Sequence, residues 1–260
     1  MKLDMAEAVE LGHAWCQQLA RRNRIRALLI KGPTLERYGL RTPRVSGDID
    51  VLIEPDRFDE AVAAVRAAGW GERPASYLIR RTTLHSRTFT HHDWPCDLDL
   101  HRSFPGFLVD AATLFEALWT RRNQMTFAHH ECAVPDRLSS VLILALHSER
   151  GTSEQPRHQQ ELKELLSLAQ LSDDERCELA MLAQATGSAA TLHHVLSRLG
   201  VDTAVTDAEL RSPDVARWRT RVESGSSGAY FWFDLLGAAT TLGDAITILS
   251  HAAWPSDTDL

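Results

Sequence analysis

Apolar and polar positions change rhythm several times along the 260 residues, and each rhythm predicts an element. Met5, Ala8, Val9, Gly12, Trp15, Cys16 and Leu19 recur at helical spacing, which predicts an amphipathic helix over residues 5–20 lying on a sheet. The basic run Arg21-Arg22-Asn23-Arg24 follows at its C-terminal end, where cations suit the helix dipole. The apolar stretch Arg26 to Ile30 reads as a strand, Lys31-Gly32 as a turn, and Pro33 as the first position of a helix, where its missing N–H has no intrahelical partner to lose. In Ser46-Gly47-Asp48-Ile49-Asp50-Val51-Leu52-Ile53, alternation leads into an apolar run. This strand places Asp48 and Asp50 on one face and Ile49 on the other. Pro55-Asp56 opens a helix whose inner stripe is Phe58, Ala61, Val62, Val65 and Ala68, with Gly69 at its end. Residues 75–92 read as one or two strands, through Tyr77-Leu78-Ile79 and Thr88-Phe89-Thr90. Asp97-Leu98-Asp99-Leu100-His101 alternates again, with Asp97, Asp99 and His101 sharing a face. A helix over 111–119 and a short strand near 131–134 close this mixed part.

From Pro135 the rhythm is helical. Leu138, Val141, Leu142, Leu144, Ala145 and Leu146 make an almost all-round apolar helix, expected to be central, with His147 at its end as a structural hydrogen-bonder. A polar loop from Gly151 to Pro156 leads to a further helix carrying Glu161, Leu162, Leu165, Leu166 and Leu168. Ser172-Asp173-Asp174-Glu175 is a capping-box signature. Residues 222–228 read as a surface loop, 229–250 as a final apolar helix, and the tail from Pro255 as frayed. The expected architecture is α+β, a mixed sheet with flanking helices over residues 1–134 followed by an all-helical domain over 135–260. Trp218, Trp232 and Trp254 are expected in the core.

Charge sharpens this picture. The net charge is −7, so nothing suggests a general nucleic-acid binder. Residues 1–150 carry 20 Lys/Arg against 19 Asp/Glu and the remainder 8 against 16, so the basic side chains collect in the mixed part. The cysteines at 16, 96, 132 and 177 have no zinc-ligand spacing. No leader pattern opens the chain, and no apolar run approaches the roughly 18 residues of a membrane span. A reduced, cytoplasmic protein is the expectation.

Two carboxylates on one side at a strand's start repel each other unless a cation lies between them. Asp48 and Asp50 are therefore either a solvated strand end or ligands for Mg²⁺, a hard cation often shared with substrate phosphates. Asp99 can add a third carboxylate, or belong to an edge strand with its charges outward. Lys31 and Gly32 precede a helix N-terminus, a place that suits phosphate, or form an ordinary turn. His85, His91 and His92 read as scattered surface histidines. Removing one charge from a carboxylate cluster, as in Asp50→Asn, is expected to leave the fold intact.

Three motifs in order, namely Lys31, Gly32, Leu35 and Tyr38, then Arg44, Gly47, Asp48, Ile49 and Asp50, then Asp99, Leu100 and His101, resemble the nucleotidyltransferase superfamily typified by DNA polymerase β. The nearest pattern is that of a bacterial branch of nucleotidyltransferases, over about residues 20–105. Relatives carry a small residue where Pro33 stands and an aromatic where Arg102 stands. The resemblance implies transfer of a nucleoside monophosphate from an NTP to a hydroxyl, with loss of pyrophosphate. It implies two Mg²⁺ ions held by Asp48, Asp50 and Asp99 as catalytic ligands, with His101 as a possible addition. Lys31, Gly32, Arg44, Ser46 and Gly47 would hold the triphosphate, although Arg44 can equally pair with a carboxylate. The acceptor would be a small molecule or a peptide or protein ahead of RNA, with the helical part binding it or packing. Two alternatives are a non-catalytic module of the same fold that binds a nucleotide or partner, and an interaction protein whose helical half docks a partner.

Overall fold

The computed structural model describes residues 3–74, 85–150 and 156–224, with Gly243 and Ile246. Helix α1 (Met5–Arg22) begins with a capping box, in which Asp4 accepts from the Glu7 N–H and Glu7 accepts from the Asp4 N–H. There follow β1 (Ala27–Ile30), α2 (Pro33–Arg37), β2 (Asp48–Ile53), a 3₁₀ turn (Pro55–Arg57), α3 (Phe58–Ala67), β3 (Gly71–Glu72), β4 (Ser86–Thr90), β5 (Asp97–His101), α4 (Ala111–Thr120), β6 (Asn123–Phe127) and β7 (His130–Val134). After Val134 every described element is a helix: α5 (Arg137–Glu149), α6 (Pro156–Leu168), α7 (Asp173–Ala185), α8 (His193–Arg198), α9 (Asp207–Leu210) and α10 (Pro213–Ser224).

The main sheet has five strands in the order β1-β2-β5-β4-β3. Its pairs are antiparallel except β2 with β5, which run parallel. The parallel pair needs a crossover, and the chain between the two strands supplies α3. Ile49, Val51, Ile53, Leu98 and Leu100 pack with α1 and α3 in one core. Leu28, Ile30 and Leu52 point to the other face and join a second core with α4, α5, α6, α7 and α8. Asp50 pairs in register with Ile30, so it shares that second, helix-covered face. Fully burying a side chain such as Leu28 or Leu52 is worth about 1.5–3 kcal/mol. Repeated across both faces, that burial holds polar groups of the same strands out of water.

The α+β class is as expected. Two strands were not foreseen, the short β3 and β6, the partner of β7. Trp218 is buried in the helical core, as expected. The strand expected at Tyr77–Ile79, the tail, Trp232 and Trp254 lie outside the described residues, as do 151–155 and 225–228 of the two expected loops. Pro156 instead opens α6, and residues 222–224, expected as loop, are the last turn of α10, where Val222 packs on the helical core. Of the helix expected over 229–250, only Gly243 and Ile246 are described, both helical. No described helix is long and apolar enough to cross a membrane.

Candidate active site

The site grows from the register of the parallel pair. Asp50 lies directly across from Asp99, Asp48 across from Asp97, and Leu52 across from His101. Partners in register point to the same side, so Asp48, Asp50, Asp99 and His101 share the face beneath the helices. Ligand atoms of Asp50, Asp99 and His101 lie within 4.8 Å of one another, a group that does not include Asp48. Asp97 turns to Arg73, with contacts of 2.5 and 2.7 Å, and takes no part.

Asp50 is the centre of charge. Its Oδ1 accepts from Lys31 Nζ at 2.6 Å and from His101 Nε2 at 2.8 Å, and both Asp50 and His101 are buried. Burial alone would raise the Asp50 pKa, but the Lys31 ammonium and the His101 hydrogen bond outweigh it and hold the carboxyl below its ordinary range. Asp48 has no such partner. Burial first, and then the charge of Asp50, push it up to about 6. Asp99 is raised for the same two reasons, opposed by a hydrogen bond from Thr88, its neighbour in register on β4. Its Oδ1 is buried with no hydrogen-bond partner. Three carboxylates thus share a desolvated face with one ammonium among them.

The Lys31-Gly32 turn is conformationally special. Lys31 has φ 60° and Gly32 has φ 52° with ψ −138°. The second combination is open to glycine and strained for other residues. A Cβ on Gly32 would meet the His13 ring and Ser46 Oγ at 3.6 Å, ordinary contact, so backbone conformation rather than space requires glycine. His13 donates from Nδ1 to the Val9 carbonyl at 2.7 Å, and its Nε2 is buried with no partner.

Residues 16–199 match the family described as "Uncharacterised nucleotidyltransferase". The chain belongs to that family. Among solved structures it is similar to LnuA, a lincosamide antibiotic adenylyltransferase with lincomycin bound, at 13% identity over 61% of this chain and 96% of that one, TM-score 0.41. It is also similar to the antibiotic-resistance factor ANT(2'')-Ia, at 16% identity over 74% and 98%, TM-score 0.46. A third similarity is to an antigenic nucleotidyltransferase-like protein from Paracoccidioides brasiliensis, at 9% identity over 77% and 96%, TM-score 0.42. No curated protein matches the chain.

In this nucleotidyltransferase the remaining expected site residues fall into two groups. Ser46 is buried beside the turn, where its Oγ accepts from Arg41 Nη2 at 3.0 Å, and Gly47 is exposed at the head of β2. Arg44, open to either phosphate or a carboxylate, pairs with Glu161 of α6, while its backbone N–H bonds Glu36 at 3.1 Å. The expected helix N-terminal cradle is also altered. Helix α2 has five residues, Pro33 lacks an N–H, and the Thr34 and Leu35 N–H groups bond the Lys31 and Gly32 carbonyls at 3.2 Å. Lys31 is therefore the cation that the turn offers.

Sequence reasoning missed Thr88, Glu161 and the placement of His85. His85 is half-buried rather than a free surface histidine. Its ring lies 6.5 Å from that of His101, and burial followed by the nearby Arg150 and Arg221 holds its pKa well below normal. Strand alternation carried to Thr88 would have placed that residue, since it lines up with Asp99. Nothing local marks Glu161.

Proposed function

We propose that this nucleotidyltransferase moves a nucleoside monophosphate from an NTP to a hydroxyl acceptor with the help of Mg²⁺, using Asp48, Asp50 and Asp99. The observation that carries this reading is the register of β2 and β5, which sets Asp50 opposite Asp99 with Asp48 on the same side. The residues fit a hard cation. They are oxygen donors, Asp99 Oδ1 is buried without a partner, and Asp48 is raised by its like-charged neighbour. Bound there, Mg²⁺ would neutralise the triphosphate and the attacking and leaving oxygens.

The chain's own groups do the rest. Asp99 stands on β5, the middle strand of the sheet, and would accept the proton of the acceptor hydroxyl, with Thr88 fixing its orientation. Lys31 would meet the triphosphate as a point charge, leaving Asp50 as it does so. Gly32, Ser46 and Gly47 shape the turn beside it. His101 holds Asp50 in place through Nε2. Arg44 acts at one remove, tying the loop before β2 to α6.

For the acceptor, the acidic balance of residues 151–260 favours a small molecule or a peptide or protein over RNA. Four unpaired cysteines, three of them buried, suit a reducing compartment such as the cytoplasm. The test is incubation of the purified protein with each NTP labelled at the α-phosphate, with Mg²⁺ and with fractionated small-molecule, peptide and RNA acceptors. Label transfer that Asp99→Asn abolishes supports the assignment. Transfer at the wild-type rate by a folded Asp99→Asn protein refutes it.

A further inference from the structure

Between α5 and α6, apart from the carboxylate group just described, three potential metal ligands converge. His158 and Glu161 are three positions apart on α6, so they stand one turn apart on one face. His147 comes from the last turn of α5. One ligand atom from each lies within 4.8 Å of the other two, and the two histidine rings are 5.0 Å apart.

The hydrogen bonding around these side chains is incomplete in an informative way. Glu161 is 3% exposed, and its Oε2 is buried with no hydrogen-bond partner. His147 Nε2 approaches it at 3.6 Å, beyond hydrogen-bond range. The other oxygen, Oε1, is held by the Arg44 guanidinium. His158 donates from Nδ1 to the Arg150 carbonyl, which leaves the lone pair on Nε2. His147 Nδ1 is also buried without a partner. A carboxylate oxygen left bare in the interior keeps the full penalty of its lost hydration. A cation held by it and two imidazoles removes that cost. The outer bonds are those that metal ligands use elsewhere, a histidine oriented through its second nitrogen by a backbone carbonyl and a carboxylate steadied by a hydrogen-bonded neighbour.

We propose that His147, His158 and Glu161 form a binding site for a divalent transition-metal ion of the zinc class. Two imidazoles and one carboxylate suit such an ion and do not suit Mg²⁺, which prefers oxygen alone. Three protein ligands leave a coordination position open to water or to a ligand. The site does not depend on the nucleotide-transfer reading, because none of its ligands is a residue of the carboxylate face.

The full-length protein, stripped with a chelator and then freed of it, is titrated with Zn²⁺ by calorimetry and with Co²⁺ by visible absorption. His91→Ala and His92→Ala are present throughout, because the exposed His91-His92-Asp93 run is a second histidine group among the described residues. The expected result is one equivalent of Zn²⁺ in this background and in Asp99→Asn. Binding should weaken about tenfold or more in His158→Ala, with loss of the Co²⁺ band. His158→Asn serves as a second variant if circular dichroism shows His158→Ala unfolded. Unchanged Zn²⁺ affinity in either folded His158 variant overturns the proposal. So does the absence of Zn²⁺ binding, or loss of the equivalent in Asp99→Asn, which would place the ion on the carboxylate face.

Discussion

Asp48 and Asp50 stand two residues apart on one face, yet their surroundings drive their protonation in opposite directions. Asp50 is held below its ordinary range by Lys31 and His101. Its stabilisation is present above about pH 4 and is lost as the pH falls through the folded-state value. Asp48 is raised to about 6, so the folded form holds its proton where the unfolded form has released it. Its contribution declines as the pH rises from about 4 to about 6. In metal-free buffer at pH 7.5, Asp48→Asn should therefore stabilise the fold by about 1–2 kcal/mol after allowance for partial exposure, and raise the melting temperature accordingly. The gain should vanish below about pH 4, and melting curves across pH check both signs. Asp50→Asn should do the reverse. Sequence reasoning expected it to abolish transfer and leave the fold intact, because like charges repel. In the structure it would strip the partner from an ammonium whose side chain is only 10% exposed, at a cost of about 3 kcal/mol, or roughly 6–12 °C in melting temperature. Lys31→Ala should lower the Mg²⁺ concentration giving half-maximal rate by about tenfold and weaken NTP binding, with the acceptor KM unchanged. Kinetics with all three varied would show it, and an unchanged Mg²⁺ dependence would remove Lys31 from Asp50's side in solution. The motif residues were legible because alternation assigns them to a face. That Arg44 could pair with a carboxylate was legible, but not that the carboxylate is Glu161, which lies far along the chain with no periodicity linking the two.

At the scale of elements, β2 and β5 could be read as strands from their alternation, but not as neighbours, because parallel pairing depends on the crossover between them. The β6–β7 hairpin shows a different blind spot. Phe127 pairs with His130 across a two-residue turn in which Ala128 and His129 have φ 43° and 64°. Such turns normally announce themselves as Asn-Gly or Asp-Gly, and Ala-His carries no such signal. The double change Ala128→Asn and His129→Gly should then stabilise the protein by about 0.5–1 kcal/mol, measurable by urea denaturation. The Gly32 turn makes the opposite prediction. Gly32→Ala should cost about 1–3 kcal/mol from backbone strain, since the added Cβ meets nothing closer than 3.6 Å.

For the whole molecule, the change from mixed to helical elements after Val134 was plain in the sequence, and we propose a boundary of architecture there. The partition of the core was not legible. Leu28, Ile30 and Leu52 of the sheet are buried with Leu142, Leu146, Leu165 and Leu196 of the helices, a join that only the fold creates. A fragment of residues 135–260 should accordingly lack a cooperative melting transition, whereas the intact chain should show one. On the proposed reading, folding and metal loading are separate events. Lys31 already supplies the positive charge that Asp50 needs, and Asp48 can take up a proton. A preparation treated with EDTA should stay folded, tolerate storage, and regain activity as soon as magnesium is returned, with no refolding step between.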